Sequence, residues 1–549
     1  MKFLLLCVLL VFPAVAQSPK NNPVAKKDEC SIAGTVVKLA GSEPLRKARV
    51  LLTSAEDRAR NVSISTDSDG RFQLKGLQPG RYRLAVSRHG FVSQYYGQRK
   101  PNDPGAILTL HPGQDLKDLL FRLIPSGVIA GKIVDEDGEP LPFVVVSASR
   151  QTFSEGKRTL APAASAQTND LGEYRLFDLT PGRYFVSAVY PRWNRRMGGP
   201  ESEDLDVGSE GYAKLYYPGS PDSAKASSIP VKSGEEISSI NIFLRPVHVY
   251  RLRGRVFNQI TSKPENQIDI MLFPKGKTFD WTEHQAVVQK KDGSFEIPDV
   301  LPGSYVLTAF WFDEGKGYTQ RLPLEVGNAD VNGITVTIAP GVSVPGRILW
   351  DGPPATDKDE LTVAATPVDV DFNYMGATRV EQGAFTMKDI GNGTYYAEVN
   401  GLSQDCYVKD VRYAGNDALD DGFTVNGGAV GELEITVSSR GARVDGAVTD
   451  EDGLPLAGVW VVLVPETQRE NRHLYKMQTT DQYGHFALRG VRPGAYKVFS
   501  WQEVETNAWE SPEFLKPFED KGEKVELQQG GQKTIKLTAI PSKPAEPAN

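Results

Sequence analysis

Apolar and polar residues alternate along this chain in short runs, and the runs recur in one order. Phe72 and Leu74, then Tyr82, Leu84 and Val86, show the pattern, with polar neighbours between them. A period of two predicts strands with one buried face, and the glycines and prolines between runs predict tight turns. The surrounding frame runs Gly70-Arg71-Phe72 through Pro79-Gly80-Arg81-Tyr82, and it returns four more times. Gly172, Tyr174, Gly182 and Tyr184 form the second copy, and Gly293, Phe295, Gly303 and Tyr305 the third. Gly383, Phe385, Gly393 and Tyr395 form the fourth, and Gly484, Phe486, Gly494 and Tyr496 the fifth. The second glycine always lies ten places after the first. Pro-Gly supplies the turn in four copies and Asn392-Gly393 in the fourth unit. Each frame therefore predicts a β-hairpin whose turn glycine takes φ > 0.

A strand with a central glycine precedes each frame at nearly constant distance: Gly34, Gly131, Gly254, Gly346 and Gly446 lie 36 to 41 places before the first frame glycine. Three units then carry Pro-Leu before a second apolar strand, at Pro44-Leu45, Pro140-Leu141 and Pro455-Leu456. Each unit closes with another alternating run: Leu119 to Leu123, Ile240 to Leu244, Ile334 to Ile338, Leu433 to Val437 and Thr534 to Leu537. Repeated units of about 100 residues with short strands predict an all-β chain of five tandem Ig-like antiparallel β-sandwiches, beads on a string. The expected boundaries are 30–125, 127–246, 248–340, 342–440 and 442–540, with a linker over 17–29 and a polar tail over 541–549. Helical periodicity is nearly absent, with single turns expected near Gln114 to Leu116, at Glu235-Glu236 and over Ser511 to Phe518. Short linkers predict a semi-rigid rod.

Composition adds a compartment. Lys2, an apolar run from Phe3 to Val11 and Ala14-Val15-Ala16 read as a secretory signal peptide over residues 1–16, with cleavage before Gln17. An exported protein, periplasmic or extracellular and without membrane insertion, is expected. The net charge of −7, with no basic run, argues against nucleic acid as a partner. Beyond the signal segment only Cys30 and Cys406 remain, in different repeats, so thiols rather than a disulfide framework are expected.

Residues 444 to 498 carry the pattern best: Val444, Gly446, Val448, Asp452-Gly453, Pro455-Leu456, Val459, Val461, Thr480-Asp481, Gly484, Phe486, Leu488, Val491, Pro493-Gly494 and Tyr496. This resembles the carboxypeptidase regulatory-like domain, in tandem as in exported bacterial proteins. The resemblance implies a transthyretin- or prealbumin-like, carbohydrate-binding-like sandwich that accompanies enzymes without holding their catalytic residues. It runs through units one, two and five, less closely through three and four.

Candidate chemistry is sparse. The six histidines, His89, His111, His248, His284, His473 and His485, show no zinc-ligand spacing, and no nucleophile elbow or phosphate loop is present. No catalytic residue, metal or cofactor is expected. Asp67-Ser68-Asp69-Gly70, Asp135 to Gly138 and Asp450 to Gly453 admit calcium but read better as turns. A related sandwich family, the Cna B-type domain, carries a Lys–Asn isopeptide aided by a glutamate two residues after the apolar position that follows Gly-x-Tyr; here Val86, Ala188, Ala309, Val399 and Ser500 hold that place, and alternation points Lys132 and Asn241 to solvent. The frame tyrosines read as core. Loop aromatics remain as candidate ligand contacts: Tyr95, Tyr96, Trp193, Tyr216 and Tyr217. Tyr95 and Tyr216 each precede their closing run by 24 residues, a shared spacing that favours a structural role. Two readings follow: a non-catalytic exported binding or scaffold protein with an unknown protein or polysaccharide partner, or a carbohydrate-binding or enzyme-accessory protein at the cell envelope.

Overall fold

The computed structural model describes residues 28–56, 61–101, 103–154, 156–190, 210–264, 268–275, 285–288, 291–313, 316–356, 361–368, 377–427 and 430–541. The expected signal segment, Trp193, His284 and the residues beyond 541 lie outside them. Strands dominate, and the one α-helix among the described residues is the single turn Pro512–Leu515, inside the stretch where a turn was expected. Gln114 to Leu116 and Glu235-Glu236 instead lead into strands.

The first unit shows how alternation becomes architecture. Its strands are β1 (Cys30–Lys38), β2 (Arg49–Ser54), β3 (Asn61–Ser65), β4 (Arg71–Leu77), β5 (Gly80–Ser87), β6 (Gln94–Tyr95), β7 (Leu108–Leu110) and β8 (Asp115–Leu123). One sheet has the order β4-β1-β8 and the other β3-β2-β5-β6, with β7 also on β5. Ile32, Val36, Phe72, Leu74 and Phe121 from the first sheet meet Val50, Leu52, Leu84 and Val86 from the second in one buried cluster. Four further clusters repeat this over residues 129–244, 250–338, 344–437 and 442–539.

Two features depart from the sequence reading. The frame is not a hairpin: β4 pairs with β1, while β5 pairs with β2 in the other sheet. The turn is thus an arch over the core. Gly76, in the left-handed region at φ +67°, marks a bulge in β4, and the equivalent Asp178, Asp389 and Gly490 have φ +57°, +59° and +60°. A bulge adds one residue to one strand and turns it out of its ladder, here toward the opposite sheet. Alternation alone cannot tell an arch from a hairpin, since both bury one face of each strand. The second departure is that the closing strand runs parallel to the first, as β8 to β1 and likewise in units two to five. A parallel pair needs a crossover connection, and the whole second sheet supplies it.

The glycines explain the tightness of this arrangement. A Cβ on Gly34 would lie 2.2 Å from the Leu119 carbonyl oxygen and 2.8 Å from the Phe72 ring. At Gly131, Gly254, Gly346 and Gly446 the closing-strand carbonyl would be met at 2.0, 2.3, 2.6 and 2.2 Å. Glycine in the first strand is therefore the seat of the frame aromatic. The first frame glycine sits at φ +69° to +83° in all five copies, and its carbonyl accepts from Val36, Ile133, Val256, Ile348 or Val448 N–H at 2.7–2.9 Å. The second frame glycine was expected at φ > 0, and Gly80, Gly182, Gly393 and Gly494 lie at φ +155° to +159°, at the extended edge of the positive range. Each frame tyrosine hydroxyl donates to a carbonyl four residues back: Tyr82 to Gln78, Tyr184 to Thr180, Tyr305 to Leu301, Tyr395 to Gly391 and Tyr496 to Arg492, at 2.5–3.0 Å. This ties the end of the arch to its start.

The sandwiches do not extend as a rod. Unit five touches unit one, where Ile107 pairs with Asp481, Thr109 N–H donates to Gln482 Oε1 at 2.9 Å and Gln482 Nε2 returns to the Thr109 carbonyl at 2.8 Å. Lys100 pairs with Glu503 across the same contact. Unit five also reaches unit two through Phe153 and Phe514, ring centroids 6.1 Å apart. It meets unit four where Asp420 accepts from Arg492 at 3.0 Å and from Asn471 at 2.6 Å. Cys30 and Cys406 are buried thiols in units one and four.

Candidate functional site

The acidic runs are turns. Asp67 Oδ1 accepts from the Asp69 and Arg71 N–H at 2.9 and 2.8 Å, and Asp135 and Asp450 repeat this pair of bonds. Asn241 Oδ1 accepts from the Lys132 N–H at 2.8 Å, and the Lys132 ammonium lies 2.9 Å from Glu173, so neither side chain faces the other as an isopeptide requires.

The loop aromatics divide between their own sandwiches. Tyr95 and Tyr216 hold the same place, paired across from Ala85 on β5 and from Ser187 on the strand Gly182–Val189. Tyr96 and Tyr217 follow, their N–H groups donating to Leu84 and Val186 carbonyls at 2.9 and 2.8 Å. Both pack against their unit's core, and burial raises the pKa of the Tyr96 hydroxyl. The shared spacing thus serves the fold for three of the four, with Tyr216 half-buried beside Lys214 at 5.7 Å. Tyr95 differs in being 42% exposed.

Tyr95 borders a cleft of about 620 Å³ between units one and two. Its walls include Lys47, Arg49 and Arg88 from unit one, together with His89, Gln98 and Asp103, and Asp178 and Thr180 from unit two. Arg49 on β2 stands across from Ser87 on β5, and the neighbouring Arg88 guanidinium lies 3.5 Å from the Lys47 carbonyl. Asp178 is held at the junction: the Gly90 N–H and Ser126 hydroxyl donate to it at 3.2 and 3.3 Å, and His89 Nδ1 lies 3.5 Å away. The loop after β6 is braced by Gln98, whose carbonyl accepts from Tyr95 N–H at 2.9 Å while its amide donates to the Asp103 carbonyl at 3.1 Å. Sequence reasoning singled out Tyr95 and missed the cations. Lys47 sits at φ +57° and Phe143 at +63° in the matching place of unit two, so the left-handed residue after Pro-Leu was the available signal.

No group of three His, Cys, Asp or Glu able to hold a metal occurs among the described residues.

Comparison with known proteins agrees on the module. Residues 31–123 and 128–199 match the family model "Carboxypeptidase regulatory-like domain". The first two sandwiches are therefore domains of that kind, and the chain resembles tandem carboxypeptidase regulatory-like domains in its repeated frame. Among curated proteins it is similar to human BOS complex subunit NOMO1, 23% identical over 397 residues, covering 69% of this chain and 28% of that protein. It is also similar to Colossin-A of Dictyostelium discoideum, 20% identical over 503 residues, covering 84% of this chain and 4% of that one. The chain thus spans just over a quarter of the NOMO1 length. Among solved structures, the minor pilin GBS52 of Streptococcus agalactiae is 12% identical, with 40% of this chain and 96% of that chain covered and a TM-score of 0.23.

Proposed function

We propose that this is an exported, non-catalytic binding or scaffold protein. The observation that carries the reading is the use of every unit's frame residues for packing, together with the docking of unit five on units one, two and four. Side chains that could do chemistry are spent on structure, and the result is a shaped frame whose clefts bind. The human relatives are, by name, subunits of a complex, which fits a protein partner here. Cell fractionation with mass determination tests export: the expected product begins at Gln17 and leaves the cytoplasm, and an unprocessed cytoplasmic chain would refute it. Purified protein should leave peptide and glycoside substrates untouched with or without zinc. Turnover abolished by a chelator and restored by zinc would overturn the non-catalytic reading.

The second reading is carbohydrate binding or an enzyme-accessory role at the envelope, favoured by the exposed Tyr95 ring on a polar cleft. A panel of immobilised glycans tests it, with Tyr95, Tyr96, Tyr216 and Tyr217 changed to Ala singly. Retention should depend on Tyr95 far more than on the other three.

A further inference from the structure

We infer that the cleft between units one and two binds an acidic polysaccharide, with Tyr95 as the stacking platform for a sugar ring and Lys47, Arg49 and Arg88 as the seat of its carboxylate or sulfate. The inference rests on the carbohydrate-binding reading and names the class of glycan.

Charge is the first ground. The protein is acidic overall, at −7, yet three cations converge here, and none of them has an ion-pair partner among the described residues. Elsewhere surface cations are commonly paired, as Lys38 with Glu43, Arg175 with Glu236 and Arg253 with Glu296. The two carboxylates of the cleft do not compensate fully. Asp178 is engaged by Gly90, Ser126 and His89, and Asp103 accepts from the Lys100 N–H at 2.9 Å. With three cations against two carboxylates the cleft carries a surplus of positive charge, which favours a polyanion over a neutral ligand. Arg49, whose Nε donates to Ser63 Oγ at 3.0 Å, and Arg88, whose Nη1 donates to the Lys47 carbonyl, keep further guanidinium donors that match a carboxylate or sulfate edge.

Shape is the second ground. Tyr95 is fixed from behind: its N–H is bonded to Gln98, and Gly105, at φ +73°, lies so close that a Cβ there would come 2.5 Å from the Tyr95 Cβ. An exposed ring on a braced loop offers a flat apolar face without the entropy of ordering it. Ser87, Ser93 and Thr180 add hydroxyls to the lining, suited to sugar hydroxyls. An acidic peptide would use the cations but would have no need of the ring.

Affinity electrophoresis of the full protein through gels containing polygalacturonate, dextran sulfate, neutral dextran or poly-glutamate separates these cases. Retardation by polygalacturonate or dextran sulfate is expected, at least tenfold stronger than by dextran and weakening as salt rises; which polyanion is stronger identifies carboxylate or sulfate. Arg49→Gln with Arg88→Gln should weaken it tenfold or more, and Tyr95→Ala by severalfold, with unchanged circular dichroism and melting because these residues lie outside the core. Equal retardation by dextran would overturn the acidic class while leaving the carbohydrate reading intact. Poly-glutamate binding as strong as that of the glycans, insensitive to Tyr95→Ala, would replace the glycan by an acidic peptide. No retardation by any of the four overturns the inference, and the glycan panel then decides the carbohydrate reading separately.

Discussion

Gly484 and Gly494 occupy the two ends of one frame and answer to different physics. Gly484 has φ +78°, and a Cβ would stand 2.8 Å from the Val448 carbonyl oxygen, which no flexible side chain can vacate. Gly494 is near extended, and its Cβ would meet the Tyr496 ring at 3.3 Å. Gly484→Ala should therefore cost roughly 2 kcal/mol or more, and Gly494→Ala about 1 kcal/mol or less, as read by chemical denaturation of the full chain. The reverse order would mean that the second glycine holds the turn. Titration adds a further expectation. Arg469 and Lys497 hold the Glu519 carboxyl down at about 2, from an ordinary 4.5, through hydrogen bonds. A depressed carboxylate contributes stability above its unfolded value and loses it as the pH falls through the folded one. Unit five should thus weaken between about pH 4.5 and 2, and Glu519→Gln should flatten that part of the melting-temperature profile.

At the scale of elements, the closing strand is the part with least room. In unit five the strand Gln532–Thr538 lies parallel to Ala442–Thr449, and Gly446 keeps the Ile535 carbonyl and the Phe486 ring in place. Gly446→Ala must displace one of them, so a loss of about 2–3 kcal/mol is expected in chemical denaturation followed by tryptophan emission. Emission and melting like those of the unchanged protein would show that the strand can shift without cost. The order of these strands was only partly legible. Every copy places Gly or Asp six residues after the first frame glycine, at Gly76, Asp178, Asp299, Asp389 and Gly490. That position marks the bulge, yet the same residues also suit a hairpin turn, so the arch was not distinguishable from sequence alone.

For the molecule as a whole, the contact between units one and five decides the shape. Gly458 sits at φ +69°, and a Cβ there would come 3.0 Å from the Ala106 nitrogen and the Gly97 oxygen of unit one. Units one and two place Lys47 and Phe143 at the matching left-handed position, so the fold itself tolerates a side chain there. Gly458→Lys should consequently leave unit five folded but open the contact, increasing the radius of gyration in solution scattering. An unchanged radius would mean that the other contacts suffice. We propose the unit boundaries near 126, 247, 341 and 441, where limited proteolysis should release single or multiple units, faster in Gly458→Lys.

The repeat, the period of two and the fixed glycines and tyrosines were all determined by the sequence itself, because strand alternation, left-handed backbone and the reach of a tyrosine to a carbonyl four residues back are local properties. The turn chemistry of Asp67, Asp135 and Asp450 was legible for the same reason. Only the tertiary structure decided that β4 and β5 part into two sheets, that the last strand runs parallel to the first, and that unit five returns to unit one. It alone gathered Lys47, Arg49 and Arg88 beside Tyr95. Those arrangements join residues distant in the chain, and the free energy that selects among them comes from buried area and close approach between surfaces, which leave no periodicity for a linear pattern to carry.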